Sequence, residues 1–227
     1  MNYQTFITPI FVRMLGVNQN IRITFVGNGF FIDNYFITAA HVIKDNQGEK
    51  CQSNPYIIVD GCEIELTREK AYRWKTLPYD MEGQPFGHDD IKNGDVAVFK
   101  MLGMKSELKL SKTLPSYGDI LSCDFFHIVS PDNHSLKKDT NSLYLWETQG
   151  TVYDASGFSG NFFGATMSPI HPTDGGSSGC PLIKNNIVYG ILHAGNPKDS
   201  EDPENPEHPE ICVFYSASDI LKIIAVR

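Results

Sequence analysis

A succession of short apolar runs, each closed by glycine, proline or an Asp/Asn turn signal, holds most of this 227-residue chain to β-structure. Residues 6–17 are rich in Phe, Ile and Val, and residues 21–26 alternate apolar and polar. Gly27-Asn28-Gly29 reads as a turn and residues 30–37 as a second apolar strand. Residues 56–66 contain Asp60-Gly61 between apolar runs, a strong hairpin signal. Residues 68–92 are polar and irregular and read as an insertion, whereas residues 95–101 are strand-like again. Residues 106–118, polar and containing Pro115 and Gly118, read as a linker. Strand-like runs follow at 120–129, 143–153, 181–192 and 211–215. Only the last stretch has helical spacing: Ile220, Ile223 and Ile224 recur on one face, and Ser216 or Ser218 can cap it. Many short strands in this rhythm predict barrels or a sandwich.

Composition narrows the function classes. Hydrophobic residues make up 41% and charged residues 20%, so there is enough apolar material for a sizeable core. The net charge of -8 argues against nucleic acid or an anionic membrane as partner, because neutralising phosphates takes clustered Lys and Arg. No apolar run approaches a membrane span. Residues 1–14 lack the basic start, apolar run and small-residue cleavage site of a signal peptide. The five cysteines, Cys51, Cys62, Cys123, Cys180 and Cys212, are odd in number and loosely spaced, which suggests neither a disulfide framework nor a zinc site. These features favour a reducing, cytoplasmic setting and imply no metal and no cofactor.

Three segments carry chemistry. Thr38-Ala39-Ala40-His41-Val42 places a histidine at a strand end, after alanines small enough for a tight backbone turn. Gly94-Asp95-Val96-Ala97-Val98 puts an aspartate at the mouth of an apolar strand, where it can be buried; Asp89 and Asp90 are rivals in the polar insertion. Gly176-Ser177-Ser178-Gly179-Cys180-Pro181-Leu182 flanks a serine with glycines. A serine hydroxyl is a poor nucleophile unless a neighbouring base takes its proton, and that base needs an acceptor on its other nitrogen. His41, Asp95 and Ser178 supply the three parts in the chain order His, Asp, Ser. Ser177 is the rival nucleophile, but it would be followed by serine rather than glycine.

In these motifs, and in their order and flanks, the chain resembles the trypsin/chymotrypsin-like serine proteases. The resemblance implies an all-β protein of two six-stranded antiparallel β-barrels with a short C-terminal helix. Residues 1–110 would carry His41 and Asp95, and residues 111–227 would carry Ser178 and the specificity pocket. It implies that the N–H groups of Gly176 and Ser178 form the oxyanion hole. The implied function is a serine endopeptidase acting on a protein or peptide substrate. Two departures from the secreted zymogens set it nearer the HtrA-like, glutamyl-endopeptidase-like or viral-type branches. Ser177 stands where the zymogens place an activating aspartate, and Val42 stands where their cysteine commonly follows the histidine.

The implied pocket comprises Pro172, Thr173, Leu192, His193, Ala194 and Cys212. Pro172 at the position that sets basic specificity argues against an Arg or Lys preference. His193 has two readings. It faces the pocket and selects Glu or Gln, or it faces the triad, because successive strand residues point to opposite sides. Cys212 could line the pocket from the last strand, but Cys180 and Cys212 read rather as buried small hydrophobes. The acidic, proline-rich residues 196–210 form a surface loop that could border the cleft and attract basic residues of a substrate. Two other classes remain: a catalytically silent domain of the same fold used for protein binding, and a metal hydrolase built on His88, His127, His134 and His171, whose spacing fits no helical ligand pair.

Overall fold

The structure, a computed structural model, describes residues 6–16, 19–44, 46, 51–75, 94–128, 143–154, 161–167, 176–195 and 210–226. In chain order the elements are β1 (Ile7–Leu15), β2 (Ile21–Ile32), β3 (Tyr35–Thr38), α1 (Ala40–Lys44), β4 (Tyr56–Val59), β5 (Cys62–Glu65), β6 (Arg73–Lys75) and β7 (Val96–Lys100). They continue with β8 (Lys109–Leu110), β9 (Ile120–Ile128), β10 (Leu143–Asp154), β11 (Phe162–Met167), β12 (Pro181–Lys184), β13 (Ile187–Gly195), β14 (Glu210–Ser216) and α2 (Ala217–Ala225).

The strands form two sheets. The first has the order β5-β4-β1-β2-β3-β7-β6 and curls without closing among the described residues. The second has the order β12-β9-β10-β11-β14-β13-β8, and an added β12–β13 pairing closes six of its strands into a barrel. β8 lies outside the closure as a two-residue parallel addition to β13. The fold is the chymotrypsin-like double barrel, with one half a curled sheet of seven strands instead of a closed barrel of six.

Local sequence explains the boundaries. Asp60 and Gly61 both have positive φ (49° and 76°), the two-residue turn their identities predict. A second such turn, Asn185-Asn186 (φ 53° and 62°), divides residues 181–192 into β12 and β13, where the sequence suggested one run. Gly27-Asn28-Gly29 is not a turn: β2 runs straight through it, and the chain reverses at Asp33-Asn34 instead. The glycines answer a packing need. A Cβ on Gly29 would lie 2.2 Å from the Phe36 ring, and one on Gly27 would lie 2.7 Å from Val42. β11, with its small Gly164-Ala165-Thr166 centre, and β6, inside the polar stretch, also escaped the apolar-run criterion.

The residues Val96 to Phe99 are buried without alternation. The core around β3 and β7 continues into Ile183, Val188 and Ile191 of the second sheet and Ile220 of α2, so both faces of β7 are covered. A second core fills the closed barrel, with Leu121, Phe125, Val152, Phe163 and Phe214 among its members. Ser216 is the N-cap of α2, but its hydroxyl bonds Ser218 Oγ (2.7 Å) instead of a helix N–H. β6 clasps the helix at both ends: Lys75 Nζ reaches Asp219 (3.0 Å) in the first turn, and Arg73 Nε donates to Ile223 O (2.9 Å). An acid in the first turn and a cation at the last carbonyls both suit the helix dipole.

Gly29→Ala tests the tightness of the β2–β3 contact. Overpacking of this kind costs about 1–3 kcal/mol, read as a lower denaturant midpoint at unchanged slope. An unchanged midpoint would mean that Phe36 and the Ile37 carbonyl yield freely.

Candidate active site

Antiparallel register brings the first two motif residues together. Thr38, the last residue of β3, pairs with Ala97 of β7. Asp95, two residues before Ala97, therefore lies beside the segment that leaves β3 and turns at the buried Ala39-Ala40 into α1. There His41 donates its backbone N–H to Asp95 Oδ1 (2.9 Å), and its Nδ1 meets Asp95 Oδ2 at 2.6 Å. The His41 side chain keeps 31% of its surface exposed, against 3% for Asp95. With Nδ1–H given to the carboxylate, the basic lone pair of His41 lies on Nε2.

The second sheet contributes a histidine to the same oxygen. His193 Nδ1 lies 2.6 Å from Asp95 Oδ2. The β13–β14 ladder pairs Leu192 with Phe214 and Ala194 with Val213, so His193 is the extra residue of a bulge. The bulge breaks the simple alternation of the strand and aims the ring at Asp95, with Phe162 (centroids 5.4 Å, planes at 67°) and His41 (5.8 Å, 80°) against its edges and faces. Of the two readings of His193, this corrects the pocket-facing one: its hydrogen-bonding nitrogen is on the aspartate.

Burial would raise Asp95, but the His41 and His193 imidazoles outweigh it and hold the carboxyl far below the usual carboxylate range. His41, Asp95 and His193 bring donor atoms within 4.8 Å of one another, a set that could ligate a cation. The 2.6 Å separations are those of protons held between imidazole and carboxylate. Ligands about 2.0–2.2 Å from a tetrahedral zinc would stand roughly 3.3 Å apart.

The serine loop docks on the same strand ends. A Cβ on Gly27 would lie within 3.2 Å of both Val42, the neighbour of His41, and the Ser178 carbonyl. Gly179 (φ +82°) packs so closely that a Cβ there would meet the Asn28 carbonyl at 2.1 Å and Thr38 Oγ1 at 2.6 Å. Gly176 also has positive φ (122°). Both glycines therefore have conformations that side chains resist. Gly176 and Ser178 are held through their carbonyls, which accept from the Asn28 side chain and the Asn28 backbone N–H. Ser178 is half-buried and Ser177 buried.

Asn28 holds the loop, and the sequence reading missed it by assigning it to a turn. Its buried side chain donates to Gly176 O (2.9 Å) and Phe126 O (3.2 Å) and accepts from the Phe126 N–H (2.8 Å). Its backbone N–H donates to Ser178 O (2.9 Å). The available signal was a single carboxamide among the strongly apolar and small residues of β2.

The remaining pocket candidates separate. Leu192 and Cys212 are buried in the core of the closed barrel, and Ala194 is half-buried at its edge. Pro172 and Thr173 lie outside the described residues, as do residues 196–209, Asp89, Asp90, His88, His134 and His171. All five cysteines are thiols, with the Cys123 and Cys180 sulfurs 3.2 Å apart. Among the described residues no helix is long and apolar enough to cross a membrane.

No family model matches the sequence, and no curated protein sequence matches it. Solved structures do match in fold. Scabies mite inactivated protease paralogue S-D1 is 16% identical, with a TM-score of 0.59 over 98% of this chain and 93% of that one. Neuropsin, a serine protease of mouse brain, is 14% identical, with a TM-score of 0.57 over 96% and 92%. Catalytically active tobacco etch virus protease in complex with product is 14% identical, with a TM-score of 0.52 over 95% and 76%. The chain thus has the fold of trypsin-like and viral chymotrypsin-like proteases.

Two outcomes follow from this geometry. Asn28→Ala strands the Phe126 N–H and two carbonyls in a dry site and should cost about 2–4 kcal/mol; a loss below half a kcal/mol, measured by denaturation, would show that water replaces the carboxamide. Asp95 has a depressed folded-state value, so its stabilisation is complete above the unfolded aspartate value of about 3.9 and declines as pH falls below it. Asp95→Asn should therefore be less stable than wild type at neutral pH and lose less stability between about pH 5 and pH 2. Parallel pH–stability curves for the two proteins would refute the assignment of that carboxylate as charged.

Proposed function

We propose that this chain is a serine endopeptidase in which Ser178 is the nucleophile, His41 the general base and Asp95 its orienting acceptor. The observation that carries the reading is the double contact of Asp95 with His41, backbone N–H and Nδ1 together, beside the docked loop of Ser178. That contact fixes both the ring orientation and the tautomer a base needs. His41 Nε2 takes the Ser178 hydroxyl proton as Oγ attacks the scissile carbonyl. The new oxyanion is received by the Gly176 and Ser178 N–H groups. His41 then returns the proton to the leaving amine, and water repeats the sequence on the acyl-enzyme.

The substrate in this reading is a protein or peptide, in keeping with the product complex of tobacco etch virus protease among the structural neighbours. Residues 1–110 and 111–227 act as one unit, since His41 and Asp95 come from the first sheet and Ser178 from the second. In this reading Pro172, at the sequence position that sets basic specificity in the resembled family, offers no carboxylate to Arg or Lys. Five thiols accord with work in the reducing cytoplasm. The competing reading, a silent domain used for binding, draws support from inactivated paralogues among the neighbours, and it differs in having no activated serine.

A fluorophosphonate probe separates the two. Wild type should be labelled at Ser178 and cleave a peptide library, whereas Ser178→Ala should lose labelling and about 10⁶-fold in turnover while keeping its fold. Unlabelled wild type, or a fully active Ser178→Ala, would end the proposal.

A further inference from the structure

Resting on that reading of the site, we propose that the Asn28 side chain is a positioning residue for the oxyanion hole. It locks Gly176 in the conformation that presents the Gly176 N–H, beside that of Ser178, to the developing oxyanion. All three carbonyls of the loop are taken. Gly176 O accepts from Asn28 Nδ2 (2.9 Å), Ser177 O from the Cys180 N–H (3.2 Å) and Ser178 O from the Asn28 N–H (2.9 Å). A trans peptide sends its N–H opposite to its C=O, so the bond on Ser177 O fixes where the Ser178 N–H points. Gly176 is the loose link. Its N–H direction follows from its own φ of 122°, and glycine moves between positive and negative φ at little cost. Asn28 holds the carbonyl of that same residue, and Phe25 leaves it little room: a Cβ on Gly176 would fall 2.8 Å from Phe25 Cε1.

A carboxamide is matched to this task. Its Oδ1 accepts from the Phe126 N–H (2.8 Å) and one Nδ2–H donates to Phe126 O (3.2 Å), a pair that only one orientation of the amide satisfies. The second Nδ2–H is then left for Gly176 O, and the amide cannot turn away without losing both bonds to β9. Asn28 is buried, so bulk water does not compete for these partners. The backbone bonds of residue 28, its N–H to Ser178 O and its carbonyl to Thr38 Oγ1, form whatever side chain stands there. What the side chain itself adds inside the loop is the grip on Gly176. A scissile carbonyl gains its charge only on attack, so a misaimed Gly176 N–H weakens the transition state and leaves the bound substrate nearly unaffected.

The test uses the full-length chain, with sites counted by fluorophosphonate labelling so that a smaller folded fraction does not pass for slower turnover. Asn28→Ala should lower kcat per labelled site by about 10²- to 10³-fold, the worth of one oxyanion donor, with KM within about threefold of wild type. A peptide aldehyde built on a cleaved sequence reports on the same hole. Ser178 Oγ adds to its carbonyl carbon, the hydroxyl proton passes to His41, and the carbonyl oxygen becomes the oxyanion. Its affinity should fall by the same factor as kcat. Asn28→Ser, which leaves room for a water, should show the same split to a milder degree. A merely structural joint would lower the denaturation midpoint and the number of labelled sites but leave kcat per site and aldehyde affinity unchanged. That result overturns the proposal, and so does a raised KM at constant kcat. Should neither variant fold, wild type decides: its Asn28 Nδ2–H signals should shift in NMR when the aldehyde binds, but not in Ser178→Ala. Unmoved signals in wild type overturn the proposal. A wild type that takes no fluorophosphonate refutes the protease reading and this proposal with it, whereas a labelled wild type matched per site by Asn28→Ala refutes the role of Asn28 alone.

Discussion

The buried carboxamide of Asn28 is the joint on which the geometry turns. It sits in β2 of the first sheet, yet its three side-chain hydrogen bonds run to Phe126 in β9 and to Gly176 in the serine loop. Its own N–H holds the Ser178 carbonyl, and its carbonyl accepts from Thr38 Oγ1 (2.6 Å) three residues before His41. One residue thus fixes the second sheet, the serine loop and the approach to His41 relative to one another. A buried amide is worth little when satisfied and costs much when not, which makes this joint specific rather than merely adhesive. The flanking glycines serve the same end, since Gly27 and Gly29 let neighbouring backbone and side chains close around it.

Asp95 is the electrostatic counterpart. A carboxylate 2% exposed is costly unless its charge is answered, and here one backbone N–H and two imidazoles answer it. The donors come from both sheets, so a charged Asp95 requires the sheets to be docked. Tyr215 approaches from the same side: a Cβ on Gly94 would fall 2.5 Å from its hydroxyl, and only glycine, at φ +86°, lets the segment before Asp95 pass. Packing and charge therefore set the same position for the aspartate.

Much of this was legible in the sequence, for identifiable reasons. The all-β class, the Asp60-Gly61 hairpin and the C-terminal helix follow from periodicity and turn chemistry, which are local. His41 and Asp95 were legible because each lies at a strand end whose flanks are small or apolar, and the β3–β7 register does the rest. Gly27-Asn28-Gly29 misled because composition cannot distinguish glycines that bend a chain from glycines that admit a neighbour. The open curl of the first sheet depends on which edges meet, a long-range matter that no window of sequence contains. His193 had two orientations in the sequence, since alternation sets the face of a strand residue only while the ladder stays in step, and the bulge between Leu192 and Ala194 breaks it there.

That bulge and the serine loop are two consequences of one arrangement. Gly179 N–H donates to Leu192 O and Leu192 N–H donates to Cys180 O, each at 2.9 Å, so the residue before His193 is stitched to the residues after Ser178. The strand that carries His193 cannot shift without moving the loop that carries Ser178. His193 in turn grips Asp95, and Asp95 grips His41. The chain of contacts from Gly179 and Cys180, the residues after Ser178, through Leu192, His193 and Asp95 to His41 runs entirely through buried or half-buried groups. The scaffold itself therefore fixes where the serine loop stands relative to His41.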